Sequence, residues 1–510
     1  MTTKFYVSVV STQNNAFRNS EKFTDKRRVT KMHTSVIIRA ETQAVVTTSP
    51  QESLRTSKLP ELTASVLSTR SFFLERSLHH LVPNTQPTNL AAKFGKFGGK
   101  FVPETLIACL NQLEAEFLKV LHDEDFQQEL EEALRDYVGR ETPLYHARRL
   151  TELYKTNNGG QGPDIFLKRE DLCHAGSHKM NNALAQAMIA RRIGRKLVVA
   201  ATASGHHGIA TASACAKLGL DCKIYMAAKD LEQQHSNVQL MTLLGAQVEG
   251  VNGQFKDAAS EAVRTWVGNM EESYHLTGMA VGPHPCPTMV RHFQSVIGRE
   301  TRRQALDKWG GKPDALVACV GTGSNALGLF HEFIGDSEVR LVGVEAGGFG
   351  LESGRHASTL SEGEVGVYHG AMAYLLQDEY GQTTEPHSIA VGMQYPAVGP
   401  ELSYLKETGG AEFYSVTDQQ ALDAYERVCK MEGICVSLEA SHAFGILEEL
   451  FPTLPDGGKV VVNCSARGDE DVDIVFRHKQ FDGSLLKRIN DMALQVEEHH
   501  HHKQQMHALR

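Results

Sequence analysis

The most constraining feature of this sequence is a series of short apolar segments that alternate with helix-like segments. The apolar segments are rich in Val, Ile and Leu, as in "KLVVAAT", "DCKIYMA", "DALVACVG" and "GKVVVNCSA". Strands that are apolar along their whole length are buried on both faces, and helices alternating with them cover a parallel sheet. The pattern therefore predicts an α/β fold in which parallel sheets are covered by helices and ligands bind beyond the carboxyl ends of the strands.

Length and composition limit the class of protein. A chain of 510 residues is too long for one ordinary core, so two structural domains are expected. The net charge of -9 gives no reason to expect a nucleic acid or a membrane surface as partner. No apolar run approaches the roughly 18 residues that span a bilayer. The nine cysteines lack CxxC spacing, which predicts free thiols, a reducing compartment and no metal site.

Both ends of the chain differ in composition from its middle. Residues 1–40 contain eight Lys or Arg and only two acids, Glu21 and Asp25, which is typical of an organelle transit peptide; an untargeted tail is the alternative. The predicted organisation is a transit peptide over 1–40, a flexible linker over 41–93, an N-terminal α/β domain with the reactive lysine over 94–300, a C-terminal α/β domain with a phosphate-binding turn over 301–485, and a disordered His-rich tail over 486–510.

The first motif with chemical content is "LKREDLCHAGSHKMNNA", in which Lys179 begins a predicted helix. The positive end of a helix disfavours a protonated amine, so this position helps to lower the pKa of the lysine. A neutral lysine is what Schiff-base chemistry requires. An ordinary surface lysine is the alternative interpretation of this motif.

The second motif is "VACVGTGSNALGLF", where a strand ends in Gly321, Gly323, Ser324 and Asn325 and a helix follows directly. Small residues let backbone N–H groups converge on an anion, and the helix dipole favours a phosphate at this end. The spacing is not GxGxxG, so a single phosphate is expected rather than a dinucleotide. A tight turn without a ligand is the alternative.

The third motif, "VVVNCSARGDEDVD", ends a strand at Ser465. A serine there offers a neutral hydrogen bond, not a charge, to a bound ring. A lysine for an imine, a phosphate turn and a neutral partner for a ring nitrogen together predict a site for pyridoxal 5'-phosphate, PLP.

Longer motifs carry a resemblance to a known family. They are "GKFGGKFVPETL", "LKREDLCHAGSHKMNNAL", "VGPHPCPTMVRHFQSVIG", "GTGSNALGLFHEFI", "ESGRHAS", "HGAMAYLLQDE", "YPAVGPELSYLK", "EGICVSLEASHA" and "NCSARGDED". In this order and over about residues 94–476, they resemble the β subunit of tryptophan synthase. With its N-terminal extension, the chain most resembles the plastid-targeted plant forms, which implies the chloroplast stroma as location.

The resemblance implies a two-domain PLP-dependent fold of type II with a Schiff base on Lys179. It implies a phosphate held at residues 321–325 with help from His178, a pyridine nitrogen bonded to Ser465, and Glu439 near the cofactor ring. A neutral partner for that nitrogen leaves the ring a weaker electron sink, which suits β-elimination better than transamination. The resemblance also implies a homodimer, and it leaves open whether an α-type subunit binds.

The clearest departure from the family lies in the loop after "KLVVAAT". Where the family has "AETGAGQHG", this chain has "AATASGHHG". The resemblance implies a general acid/base glutamate at the second position, which here is Ala201 and cannot transfer a proton. Such help changes rates by about 10²–10⁴-fold. His206, in place of a glutamine, is a candidate base from a new direction or a neutral replacement.

The same loop is expected to hold the substrate. Its backbone N–H groups from Thr202 to His207 are predicted to bind a substrate carboxylate. The sequence leaves open which of the two adjacent histidines faces the cofactor. The candidate substrate-binding residues are Thr202, Ser204, Gly205, His206 and His207.

Two further departures occur together. In the family an arginine in "VERQ" and an aspartate in "LDYP" bridge to hold the site closed, whereas this chain has Gln233 in "LEQQ" and Gln394 in "MQYP". Losing one partner would strand a charge, but losing both leaves two amides that can hydrogen-bond. The paired replacement indicates adaptation of the site rather than decay.

The sequence therefore predicts a PLP-dependent lyase or synthase related to tryptophan synthase β, with an altered reaction on a small amino-acid-like substrate in specialised metabolism. The expected reaction is elimination, replacement, or carbon–carbon or carbon–nitrogen bond formation. Three alternatives stay open: tryptophan synthesis from L-serine and indole, a non-catalytic PLP-binding regulatory subunit, and a serine or threonine deaminase.

Overall fold

A computed structural model of the chain describes residues 90–479. The transit peptide predicted over 1–40, nearly all of the linker predicted over 41–93, and the tail predicted over 486–510 lie outside the described residues. At the linker's end, Lys93 already pairs with Gly98 in a strand. Among residues 90–479, regular structure thus begins one residue before the predicted domain boundary.

The strands are short, as their apolar segments predict. They are β1 (Lys93–Phe94), β2 (Phe97–Gly98), β3 (Leu144–His146), β4 (Asp164–Arg169), β5 (Leu197–Ala201), β6 (Asp221–Ala227), β7 (Gln247–Val251), β8 (Ser273–His275), β9 (Ala315–Cys319), β10 (Arg340–Gly348), β11 (Glu364–Tyr368), β12 (Ala371–Leu375), β13 (Glu412–Thr417) and β14 (Lys459–Cys464).

Two of the three sheets carry the site. A six-stranded sheet has the order β13-β10-β9-β14-β4-β3 and is parallel except for β3. A four-stranded sheet, β7-β6-β5-β8, is parallel throughout. These sheets confirm the predicted α/β fold. The antiparallel sheet β1-β2-β12-β11 was not predicted, because β1 and β2 are only 2 residues long and carry no periodic pattern.

Helices cover the sheets and connect the strands. They are α1 (Glu104–Leu121), α2 (Glu124–Ala133), α3 (Arg148–Asn157), α4 (Lys179–Arg192), α5 (His206–Leu218), α6 (Ala228–Gln233), α7 (His235–Leu243), α8 (Phe255–Gly268), α9 (Cys286–Gln294), α10 (Val296–Trp309), α11 (Ser324–Phe330), α12 (Thr359–Glu362), α13 (Pro400–Thr408), α14 (Asp418–Glu432), α15 (Leu438–Gly445), α16 (Leu447–Leu450) and α17 (Val472–Lys479). Within the described range, none of these helices is long and apolar enough to cross a bilayer.

Helix α4 is buried along almost its whole length because its sequence is rich in alanine and other small or apolar residues. From Met180 to Ala190 every residue is buried, and the helix packs against α5, whose residues from His206 to Cys215 are also buried. A helix that is buried on all sides belongs to the core and not to the surface. The first residues of α4 and α5 are therefore held rigidly where the site lies.

The observed helices differ from the predicted ones in two places near the site. The sequence pattern predicts helices over 208–218 and 231–244. Helix α5 begins instead at His206, two residues earlier, because Gly205 takes the left-handed φ of 102° that ends the preceding turn. The second predicted helix is instead α6 and α7, separated at Gln234. That residue has φ −106° and ψ 35°, outside the helical region, and its side-chain oxygen accepts a hydrogen bond from Asn237 Nδ2.

One sheet contains strands from both sides of the predicted domain boundary at residue 300. Strands β3 and β4, which precede residue 300, pair in the same sheet as β9, β10, β13 and β14, which follow it. Strand β14 is registered against β4 from Lys459 with Asp164 to Cys464 with Arg169. The division of the chain into two domains near residue 300 stays a prediction.

Candidate active site

A cavity lies where β5, β9 and β14 end, as expected for an α/β fold. About 710 Å³ of empty space, including the part open to solvent, is enclosed by the ends of these strands and by the first residues of α4, α5, α11 and α15. It brings together Lys179, Ser324 and Ser465, one from each of the three motifs, and the loop that contains Ala201. Residues more than 280 positions apart thus form one site.

Lys179 is the first residue of α4, and its amine points into this cavity. The Nζ atom donates hydrogen bonds to the backbone oxygen of Gly278 at 2.8 Å and to the Oγ atom of Ser324 at 2.8 Å. Burial lowers the pKa of Lys179 to about 8. The sequence argument attributed a lowered pKa to the helix end, but desolvation is the main cause, since burial disfavours the charged amine.

Next to the lysine, His178 connects two of the motifs. Its Nδ1 atom lies 2.9 Å from the backbone oxygen of Ser465 and its Nε2 atom lies 3.1 Å from the Ser324 hydroxyl. Burial lowers the pKa of His178 to about 3, so the ring is neutral near neutral pH. Because a carbonyl can only accept, Nδ1 carries the proton and Nε2 accepts from Ser324. His178 thus orients the serine hydroxyl and offers no positive charge to a phosphate.

The turn between β9 and α11 has the geometry that its small residues predict. Gly323 has a φ of 98°, and a Cβ there would lie 2.3 Å from Leu402 Cδ1, so only glycine fits. The Asn325 side chain does not face a ligand: its Nδ2 atom donates to the Cys319 backbone oxygen at 2.8 Å and its Oδ1 atom accepts from Asn463. Of the predicted phosphate-binding groups, Asn325 therefore contributes only its backbone N–H, as part of the first helical turn.

Ser465 follows the end of β14, Glu439 lies in the first turn of α15, and both line the cavity. The Oγ atom of Ser465 lies 3.7 Å from Cys319 Sγ. The Oε1 atom of Glu439 accepts the Gly392 backbone N–H at 3.1 Å, whereas Oε2 is buried with no hydrogen-bond partner among residues 90–479. A Cβ at Gly392 would lie 2.4 Å from Oε1, so a glycine is required for this contact.

The predicted substrate loop runs from the end of β5 to the start of α5. Its Thr202 N–H is already donated to the Tyr225 backbone oxygen at 3.0 Å, so this amide is not free for a carboxylate as predicted. The Thr202 hydroxyl, in contrast, is buried without a partner in the described part of the chain. Asn237 Nδ2 holds the loop by donating to the Ser204 oxygen at 2.8 Å, and a side chain at Gly205 would collide with it.

Both adjacent histidines line the cavity, and they have different partners. His207 Nε2 donates to the Leu276 oxygen at 3.1 Å, and burial lowers the pKa of His207 to about 3. Its Nδ1 atom is a buried acceptor that no described residue satisfies. His206 Nδ1 lies 3.1 Å from the Ser204 hydroxyl, and its Nε2 atom lies 3.7 Å from Glu470 Oε2.

Ala201 ends β5 and lines the cavity with these histidines. The residue is 9% exposed, and its methyl group packs in an apolar cluster that includes Tyr225 and Phe255. Position 201 therefore lines the cavity that contains the Lys179 amine, but it has no side-chain atom that can exchange a proton.

The structure does not bring Gln233 and Gln394 together. Gln394 Nε2 donates to the Ser388 backbone oxygen at 2.6 Å. Gln233 is exposed at the end of α6 and lines a second cavity, next to Glu470 and α17. Among the described residues the two amides thus belong to different environments, and Gln394 forms its hydrogen bond with a backbone oxygen.

Sequence reasoning missed several residues of the site. Gly278 accepts from Lys179, Ser177 has a buried Oγ atom that no described residue satisfies, and Gly392 binds Glu439. A backbone carbonyl or amide in a loop leaves no compositional pattern, so these positions could not be selected. Glu470 lies in the acidic run "GDED", and nothing in the sequence of that run distinguishes it from Asp469 or Asp471.

The fold and the cavity define a class of α/β enzyme with a buried lysine and a phosphate-type turn at the ends of parallel strands. The family described as "Pyridoxal-phosphate dependent enzyme" matches residues 136–466, which is more than half of the 510 residues. The chain belongs to this family of PLP-dependent enzymes. Its fold is similar to that of a fungal L-serine ammonia-lyase from Rhizomucor miehei, at 18% identity and a TM-score of 0.50, over 66% of this chain and 98% of that chain.

The cavity residues fit the cofactor of this family. The amine with a pKa of about 8 provides a neutral fraction for a covalent bond to an aldehyde. The N–H groups of the first turn of α11 have no partner inside their helix, which is what a phosphate requires. The hydroxyls of Ser177 and Thr202, buried and unsatisfied by any described residue, leave further donors for a polar ligand.

Proposed function

We propose that the protein is a PLP-dependent lyase or synthase of the tryptophan synthase β type whose reaction differs from tryptophan synthesis. The observation that carries the proposal is one cavity in which the Lys179 amine is intact and bonded to Ser324, while position 201 has only a methyl group. The machinery that holds the cofactor is complete, and the acid of the family's loop is absent. The substrate is an amino acid with a leaving group or an electrophilic carbon next to Cα.

In this proposal Lys179 holds the cofactor covalently, residues 321–325 bind its phosphate, and Ser465 bonds its ring nitrogen. PLP, when bound, supplies an electron sink for negative charge that develops on the substrate carbon. Ser324 and His178 orient the lysine amine, since the hydroxyl accepts from Nζ and donates to the His178 ring. The amine can then remove and return the proton on Cα.

The loop before α5 binds the substrate carboxylate in the proposed function. The N–H groups at the start of α5 and the Thr202 hydroxyl face the cavity, and the helix end favours an anion. No carboxylate from position 201 can help a leaving group depart or hold the N–H of indole. Tryptophan synthesis therefore loses the acid/base help that is worth about 10²–10⁴-fold.

Three alternatives compete with this proposal. An ordinary tryptophan synthase would convert L-serine and indole to tryptophan despite Ala201. A regulatory subunit would bind PLP without turnover, although a regulator needs no amine with a lowered pKa. A deaminase would release ammonia and a keto acid from serine or threonine. Each alternative predicts a different product from the same assay.

An amino-acid screen with PLP-loaded protein tests the proposal. We expect absorbance changes and a new product with at least one amino acid, lost by at least 10²-fold in Lys179→Ala. Lys196→Ala, at an exposed position, is the matched control and should keep the activity. A protein that binds no PLP contradicts the proposal, and one that binds PLP but turns over nothing supports the regulatory alternative.

Location and partners are part of the proposal. We propose a homodimer in the chloroplast stroma, supported by the basic N-terminal composition and by the resemblance to the plant forms. Fusing residues 1–40 to a fluorescent protein should direct it to plastids, and light scattering of the purified enzyme should give twice the chain mass. An α-type subunit, if it binds, should change the turnover rate when added.

A further inference from the structure

Two buried polar atoms face each other at the edge of the active-site cavity. His206 Nε2 and Glu470 Oε2 are 3.7 Å apart, with side chains only 8% and 10% exposed. Neither atom has a hydrogen-bond partner among residues 90–479. Buried polar atoms are rarely left unsatisfied, and contacts between catalytic groups are often long until substrate binds. These two atoms are positioned to share a proton.

The other ring nitrogen of His206 extends this contact into the cavity. His206 Nδ1 lies 3.1 Å from the Ser204 hydroxyl, and Ser204, His206 and Ala201 all line the same space. The three side chains form a continuous series from Ser204 Oγ through the imidazole to the Glu470 carboxylate. The series ends in the cavity that Ala201, the position without the family's acid, also lines.

Glu470 is held in place from its other oxygen. Arg467 Nε donates to Glu470 Oε1 at 2.7 Å, and this leaves Oε2 directed at His206. A Cβ at Gly176 would lie 2.6 Å from Arg467 Cδ, so the arginine fits only because position 176 is glycine. The Arg467 N–H also donates to the Gly176 oxygen at 2.9 Å. Glu470 is therefore tied to the segment that carries Lys179.

We infer that Ser204, His206 and Glu470 form a proton-transfer chain that replaces the carboxylate missing at Ala201. This inference rests on the proposed function and deepens it. His206 and Ser204 are catalytic in this scheme because the serine hydroxyl meets the substrate, whereas Glu470 is a positioning residue that acts through the imidazole. Glu439 also lines the cavity, but its Oε1 atom is held by the Gly392 N–H, whereas the Glu470 carboxylate is the one that lies within 4 Å of the His206 ring.

The proton movements balance over one turnover. When the bond from substrate carbon to the leaving oxygen breaks, the oxygen takes the Ser204 Oγ proton, and Ser204 takes the proton of His206 Nδ1. When an incoming nucleophile or water attacks, it loses a proton to Ser204, and Ser204 returns one to Nδ1. The chain ends in the protonation state in which it began, and the Glu470 carboxylate balances the imidazolium charge.

Electrostatics explain why a carboxylate is needed at this place. His206 is the first residue of α5, and its Nε2 atom lies 3.7 Å from Glu470 Oε2. The proton that reaches the imidazole from Ser204 gives the ring a positive charge, and the carboxylate beside it offsets that charge. Glu470 also keeps the ring in line with the Ser204 hydroxyl.

The first test uses L-serine as the probe and measures its turnover. Turnover is detected as release of ammonia and keto acid, or as the product formed when a nucleophile is added. We expect His206→Asn to lower kcat by about 10²-fold or more and Glu470→Gln by about 10-fold, with little change in KM. The kcat of the double variant should be at most about 3-fold lower than the kcat of His206→Asn. Asp473→Asn, an exposed acid beside the same second cavity, should keep the wild-type kcat.

The second test does not need activity. In the cofactor-free protein, melting temperatures of His206→Asn, Glu470→Gln and the double variant form a double-mutant cycle. We expect the double variant to melt no lower than the less stable single variant, because each substitution removes the same contact. Additive shifts overturn the inference whatever the activity.

If the melting-temperature shifts are coupled but Glu470→Gln has an unchanged kcat, the proton-transfer role is overturned. The contact between His206 and Glu470 is then only structural. Circular dichroism confirms that each variant is folded. Failure of the proposed function is distinguishable, since loss of PLP binding or of all turnover in the wild-type protein does not alter the melting cycle.

Discussion

The Nζ atom of Lys179 and the Oγ atom of Ser324 lie 2.8 Å apart, which joins the first residue of α4 to the first residue of α11. The same hydroxyl meets His178 Nε2 at 3.1 Å. A single serine thus connects the amine, the neutral histidine and the phosphate-type turn. Two helix starts from distant parts of the sequence are held in one arrangement by this contact.

Removing that hydroxyl should loosen cofactor binding. Ser324→Ala deletes the hydrogen bonds to Lys179 and His178, and each net hydrogen bond contributes about 1 kcal/mol. We expect the Kd for PLP to rise roughly 10- to 30-fold. Absorbance titration of the cofactor-free variant measures this, with the exposed Ser353→Ala as control. An unchanged Kd would show that the contact does not support the cofactor site.

The lowered pKa of Lys179 should be visible in folding. The pKa is about 8 in the folded protein against an ordinary 10.5, so between these pH values the unfolded chain binds a proton that the folded one does not. Stability from this group therefore rises with pH across that window. Lys179→Met removes the effect. From pH 8 to pH 10.5, the unfolding free energy of the wild type should therefore increase relative to that of the variant by on the order of 2 kcal/mol.

Urea unfolding of both cofactor-free proteins at several values between pH 8 and pH 10.5 provides the measurement. A difference that stays flat over this range would mean that burial does not lower the pKa of the amine. Circular dichroism at each pH ensures that the folded states are compared.

His207 should contribute to acid sensitivity. Burial lowers its pKa to about 3 from an ordinary 6.5, so the unfolded chain takes up a proton first as the pH falls. The contribution of His207 to stability is fully present above pH 6.5 and is lost as the pH falls toward 3. His207→Asn retains a donor for the Leu276 oxygen and does not titrate. As the pH falls, the unfolding free energy of His207→Asn should decrease less steeply than that of the wild type. The two slopes should differ by up to about 1.4 kcal/mol per pH unit.

The comparison is made by urea unfolding between pH 6.5 and pH 4.5, where the carboxylates of both proteins change equally. Equal slopes in the two proteins would contradict a buried neutral His207.

The sequence was informative about the fold because continuous apolar strands leave few other arrangements. The strands at 221–227 and 459–464 were found nearly to the residue, and the helix that the apolar spacing predicts over 178–193 is α4, which is shorter by one residue at each end. The antiparallel strands β1 and β2 could not be predicted, since pairs of residues carry no period. The break at Gln234 was missed because it depends on a tertiary contact with Asn237.

The site was predictable where residue type alone implies chemistry, as for Lys179 and the glycines of the phosphate-type turn. It was not predictable where a backbone atom or an unremarkable acid takes part. The carbonyl of Gly278 and the carboxylate of Glu470 reach the site only through the fold. The same holds for Gln233 and Gln394, whose separate environments follow from the fold and not from the sequence pattern.

Restoring an acid at position 201 should restore the family's reaction. The Ala201 side chain faces the cavity that Lys179 enters, so Ala201→Glu would place a carboxyl group beside the reacting atoms. Ala203→Glu is the matched control, because Ala203 is buried at 6% exposure and lines the same cavity two residues later. We expect Ala201→Glu to lower the native activity and to raise tryptophan formation, whereas Ala203→Glu should not raise tryptophan formation.

The most direct test is the rate of tryptophan formation from L-serine and indole by PLP-loaded wild type and Ala201→Glu. We predict that the wild-type protein is slower than the variant by about 10²-fold or more, the value of general acid–base help. A wild-type rate equal to or above that of Ala201→Glu would contradict the proposal that this enzyme has left tryptophan synthesis.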